Sequence, residues 1–235
     1  MTSEEASAPA ADQIARRFLD APGFNESPRR AKILEAVVAL LAEGSFATFT
    51  IRKLAAHCGI SAQMIHNNFG NRDDLIAKAI NFHTLKLFRT ALQRDKYRLN
   101  IINLLSFYIE TCVNNEIFHK SSTLFFFSRP SRLYETHKFG AKLFSDVLNS
   151  EECGPLDPLH VSAFGKAASL AIGNCILEWN EEKYGDIDFQ GNIGTRLYLL
   201  LKSILPETEW PELDGWVTDT RSVSLRVNSQ PCSKS

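Results

Sequence analysis

Gln63 and Asn67 stand four residues apart in the run SAQMIHNNF, residues 61–69. On a helix that spacing puts both carboxamides on one face. A carboxamide carries a donor beside an acceptor, the complement of the N6–H and N7 edge that adenine shows in a major groove. Met64 offers an apolar end suited to a thymine methyl, and Ala62 a small contact beside it. His66 and Asn68 have N–H groups able to reach phosphate oxygens, and so do the Thr50 hydroxyl and the Arg72 guanidinium. Such a set recognises a duplex through hydrogen bonds and breaks no covalent bond.

Residues for other chemistry are sparse. The chain has no GxSxG, no HExxH, no phosphate-binding glycine loop and no CxxC. Cys153 and His160 lie seven apart across a loop containing Pro155 and Pro158, a poor pair of metal ligands. Glu151, Glu152, Glu181 and Glu182 read as solvated charge, and Asp186 and Asp188 as turn residues. The expectation is therefore no catalytic residue, no metal, no cofactor and no enzyme.

The amides need a scaffold, and the flanking residues supply one. RRAKILEAVVALLAEG places Leu34, Val37, Val38 and Leu41 on one helical face, ended by Gly44. In FTIRKLAAHCGI, Thr50 is an N-cap for a helix with Ile51, Leu54 and Ala55 inward, and Gly59 supplies the left-handed turn. Ser61 caps the amide-bearing helix, whose inner residues are Ile60, Ile65 and Phe69. Asn71 caps a longer helix through Leu75, Ile76, Ala79, Ile80, His83 and Phe88, to about Gln93. Two short helices separated only by the turn at 57–60 form a helix-turn-helix pattern.

The remainder also reads as helix, with no strand alternation and no repeat. Apolar runs at Ile101–Cys112 and Ser121–Phe127 are followed by a break at Pro130 and a helix capped by Ser131. Strong helices follow at His160–Glu181 and about Asn192–Leu205, with YGDIDFQGN as a turn region between them. Pro206 and Pro211 end the last helix. Residues 1–27 read as a flexible arm with a short helix at Ile14–Leu19, and residues 211–235 as a polar tail.

The 44% hydrophobic content and 16 phenylalanines imply a true core, and a net charge of -1 confines any nucleic-acid surface to a local patch. Between Arg29 and Leu75, six basic residues (Arg29, Arg30, Lys32, Arg52, Lys53, Arg72) face four acidic ones (Glu35, Glu43, Asp73, Asp74), a mild basic bias. Five scattered cysteines, no membrane-length apolar run and no signal peptide point to the cytoplasm.

The segment from Arg30 to Ile80 resembles the DNA-binding domain of the tetracycline-repressor (TetR) family. Gly44, Thr50, Ile51, Leu54, Ala55, Gly59, Ile60, Ser61, Ile65, Phe69 and Leu75 fall on its pattern. The sequence departs from it at His66, where the family usually has tyrosine, and at Asn68, where it has histidine or tyrosine. Arg72 matches a family lysine that approaches phosphate. The resemblance implies an all-α fold: a three-helix helix-turn-helix domain at 28–75 joined to a larger helical regulatory and dimerisation domain at 76–210. It implies a homodimer on a palindromic operator, and a small effector bound in the second domain. Two small-residue and apolar stripes fit the dimer: Gly165, Ala168 and Ile172 on one helix, Leu197, Leu201 and Ile204 on the next. Cys112, Phe118, Phe126, Tyr134, His137 and Trp179 would suit an apolar or aromatic effector. An activator, an effector-independent regulator, or a helical protein-interaction module without DNA binding are the alternatives.

Overall fold

The computed structural model describes residues 26–44, 46–94, 96–151, 154–181 and 185–227. The expected helix at Ile14–Leu19, and with it Cys153 and Cys232, lies outside the described residues. Those residues form α1 (Pro28–Glu43), α2 (Ile51–Cys58), α3 (Ala62–Phe69), α4 (Arg72–Ala91), α5 (Asn100–Asn114), α6 (Glu116–Phe127), α7 (Pro130–Leu148), α8 (Pro158–Asn180), α9 (Asp186–Lys202), a 3-10 turn (Glu207–Glu209) and α10 (Trp210–Val227). The fold is all-α. It divides into two compact units: residues up to Gln93 with Asn114–Thr136, and Arg94–Val113 with His137 onward. The division expected between residues 75 and 76 falls inside α4, which belongs whole to the first unit.

In the first unit, local chemistry sets the helix ends. Side-chain oxygens of Thr50, Ser61 and Asn71 accept from the backbone N–H of Lys53, Met64 and Asp74, filling donors that a helix start leaves open. Gly59 ends α2 at φ 63°, where a side chain would be strained. α1 packs on α2, α4 and α6, and α3 on α2 and α4. The core joins Leu34, Val37, Leu41, Leu54, Ile65, Phe69, Leu75 and Ile76 to Phe118, Phe125 and Phe126 of α6. Ser121 of α6 also donates to the Gly44 carbonyl, at 3.3 Å. The apolar face of α1 is wider than three helices can cover, and α6 closes it.

In the second unit, α9 packs on α8 and on α10. The Trp179 ring stacks on Phe189 at 4.3 Å, and its N–H donates to Asp186. Three expectations are corrected here. The turn read at YGDIDFQGN holds the start of α9, which begins at Asp186; Phe189 is buried, and two acidic residues lie in the first turn, where the helix dipole favours them. The region read as a polar tail is largely α10, with Leu213 and Trp216 fully buried. Glu151 is not a solvated charge. It is half-buried and accepts from the N–H groups of Asn100 and Ile101, at 3.2 and 2.6 Å, as the cap of α5. A smaller difference concerns α7, which starts at Pro130 and holds Ser131 in its first turn, not as its cap.

Candidate nucleic-acid interface

α3 is held by Ile65 and Phe69, both at most 1% exposed, which fixes which side faces out. Gln63, His66, Asn67 and Asn68 are exposed; Ala62 and Met64 are half-buried. Gln63 Nε2 donates to Asn67 Oδ1 at 2.9 Å, so the two amides form one unit. Gln63 Oε1 and the Asn67 amino group remain for a partner outside, an acceptor beside donors.

Other predicted contacts are already engaged within the protein. The Gly70 carbonyl lies 3.2 Å from His66 Nδ1 and can only accept, so Nδ1 carries a proton. Asn68 Nδ2 donates back to the Met64 carbonyl at 2.7 Å. Thr50 Oγ1 accepts from Lys53, which leaves its own hydroxyl proton for another acceptor.

Arg72 was expected to meet phosphate. Its Nε donates to the Phe49 carbonyl at 3.0 Å, one Nη to the Phe46 carbonyl, and the other Nη pairs with Asp73 at 3.1 Å. Those bonds tie the turn before α2 to the start of α4. Asp73 also takes two bonds from Arg129, at 2.7 and 3.2 Å. The Arg129 hydrogen bond, and the two positive charges with it, hold the Asp73 carboxyl below its ordinary range against the opposing effect of burial. An open cleft of about 470 Å³ lies beside this trio, lined also by Asn71 and Ser131.

Cations from other helices border α3; the sequence counted Arg29 and Arg30 only within a mild basic bias and gave Lys78 no part. Arg30 of α1 donates to the Asn68 carbonyl at 2.7 Å and lies over the Phe69 ring. Arg29 donates to the Met64 sulfur at 2.8 Å. Lys78 of α4 reaches the Phe69 carbonyl at 3.4 Å, at the negative end of α3. Their sequence separation from α3 hid them.

The residues expected to bind an effector are not brought together within either unit. Phe118 and Phe126 are core residues of the first. Cys112 and Trp179 are buried in the second. The Tyr134 and His137 side chains lie outside the described residues. The stripes expected at a dimer interface are mostly covered by the chain itself. Ala168, Leu197 and Leu201 are fully buried, Ile172 is 6% exposed, and Ile204 is half-buried. Gly165 is buried against α7: a Cβ there would stand 2.3 Å from the Ala141 carbonyl oxygen. On the α9 stripe the reason is α10, which packs on a face of α9 that the supposed tail would have left open.

A capped short helix with a polar outer face, held by a glycine turn to the helix before it, defines the class: a helix-turn-helix head of the kind carried by DNA-binding regulators. Residues 33–79 match the sequence model of "Bacterial regulatory proteins, tetR family", so this head is a tetR-family N-terminal domain. No protein of curated function matches the chain. Among solved structures, the chain is similar to the crystal structure of a gamma-butyrolactone receptor (ArpA like protein). Identity is 15%, the TM-score is 0.48, and the similarity covers 83% of this chain and 97% of that one. Among the described residues, no helix is long and apolar enough to cross a membrane.

Proposed function

We propose that the protein is a dimeric transcriptional repressor that reads a palindromic operator with α3. The reading is carried by the coupled amides of Gln63 and Asn67, exposed on a helix whose inner face is locked in the core. An adenine edge would complete their hydrogen bonds, and each good bidentate pairing discriminates by about 1–3 kcal/mol. Two-fold symmetry would set two α3 helices about 34 Å apart, one turn of the duplex.

The dimer contact is assigned to the outer faces of α8 and α9, where Leu170 and Leu199 are 51% and 60% exposed. Trp179 against Phe189 and Glu178 against Arg196 fix these helices as a returning pair. In that pairing Leu170 and Leu199 lie at a similar level. A small apolar or aromatic effector bound in the second unit would shift the dimer and weaken operator binding.

Selection of bound duplexes from a random pool tests the reading. The expected outcome is an enriched palindrome whose preference relaxes in Gln63→Ala and Asn67→Ala. Failure of the intact protein to enrich any palindrome overturns it.

A further inference from the structure

α3 carries no lysine or arginine, although duplex binding draws most of its strength from neutralised phosphates. The structure places the missing charge beside it. Arg29 and Lys32 of α1, with His57 at the end of α2, line a groove of about 320 Å³ floored by Ile33, Ala36 and Ile60. All three polar side chains are exposed. The carboxylates nearest in sequence are engaged elsewhere: Glu26 pairs with Arg30 and Glu35 with Lys86. Among the described residues, neither Arg29 nor Lys32 is paired with a carboxylate. Arg72 and Arg129, by contrast, are both bonded to the Asp73 carboxylate.

Position adds the second argument. The guanidinium of Arg29 contacts the sulfur of Met64, on the helix that bears Gln63 and Asn67. The groove therefore borders the reading face. A charge there meets the strand that edges a major groove occupied by α3.

We infer that the Arg29–Lys32–His57 groove is a phosphodiester-binding site, through which α1 clamps the DNA backbone next to the groove read by α3. The two cations neutralise phosphates, and a His57 ring N–H donates to a phosphate oxygen. This rests on the DNA-reading function proposed above. It adds an electrostatic anchor on α1, outside the helix-turn-helix.

The test is a titration of a random-sequence duplex across a series of salt concentrations, using the full chain and its Arg29→Gln/Lys32→Gln variant. Each phosphate contact contributes a slope of about 0.9 in log K against log salt. The variant is expected to lower the slope by about 2 while keeping its helicity and its preference for the selected operator over random duplex. The Arg29→Lys/Lys32→Arg variant should retain the full slope. An unchanged slope in the first variant, with the intact chain binding normally, overturns this inference and leaves the DNA-reading function standing. No duplex binding by the intact chain at low salt overturns that function as well.

Discussion

Gly165→Ala pits two effects against each other. In an unobstructed helix, exchanging glycine for alanine stabilises by about 1 kcal/mol, because glycine loses more backbone freedom on folding. At Gly165 the new methyl would stand 2.3 Å from the Ala141 carbonyl oxygen and 2.7 Å from Ser145 Oγ. The serine can rotate away. The carbonyl belongs to the backbone of α7, so α7 and α8 must separate by about 1 Å, given ordinary contact distances. Overpacking of this kind costs about 1–3 kcal/mol, and a backbone obstacle places it toward the upper end. The clash wins, and the net loss is about 1–2 kcal/mol. For a chain of this size that lowers the melting temperature by roughly 2–8 °C.

Gly215 supplies the control. It is exposed on α10, and a Cβ there would meet nothing within 4 Å. Gly215→Ala should therefore raise the melting temperature, by the helix gain of about 0.5–1 kcal/mol. Calorimetric melts of the two variants at several protein concentrations are the assay. The expected result is shifts of opposite sign, with the Gly165→Ala loss unchanged by dilution. A Gly165→Ala melt that rises with Gly215→Ala, or a loss that appears only on dilution, would refute the packing of α7 on α8 and return Gly165 to a contact between protomers.

Two further outcomes follow from single side chains. Burial raises the Glu151 carboxyl from 4.5 to about 7, against the lowering effect of the Ile101 and Asn100 N–H groups. A carboxyl whose folded value is raised stabilises below its unfolded value and loses that contribution as pH rises through the folded one. The intact chain should lose stability between about pH 5 and 8 relative to Glu151→Gln, whose carbonyl oxygen still accepts from α5; a stability gap constant with pH in thermal melts would contradict this. Arg72→Lys should destabilise the first unit nearly as much as Arg72→Ala, because a single ammonium cannot reproduce a fork shared between the Phe46 and Phe49 carbonyls and Asp73. Protease resistance of residues 46–50 reports it, and full protection in the lysine variant would count against the assignment.

The scaffold of α3 was legible because its signals are local. Thr50, Ser61, Gly59 and Asn71 each act on a group within a few residues, so spacing alone places them. The fate of α6 had no such signal, since nothing in EIFHKSSTLFFF says which apolar surface its phenylalanines meet. The stop read at Pro206 and Pro211 misjudged position: Pro211 is the second residue of α10, where a missing N–H goes unnoticed. That Gln63 and Asn67 share one face of α3 was readable from helical spacing. The internal hydrogen bonds of Arg72, His66 and Asn68 were not, because each depends on which carbonyl the fold brings within reach. Arg29 and Lys32 counted only as a mild bias until α1 was set beside α3.

The closing of the helix-turn-helix core by α6 has a consequence for how the chain can be cut and recombined. The path leaves the first unit after Gln93, returns for Asn114–Thr136 and leaves again. A head excised at the end of α4 would bare the seats of Phe118, Phe125 and Phe126 and lose a face of α1 to water. Grafting this head onto another protein therefore requires two separate stretches of sequence. A change in the α1 face would be felt by phenylalanines some eighty residues downstream, outside the stretch that the family match spans.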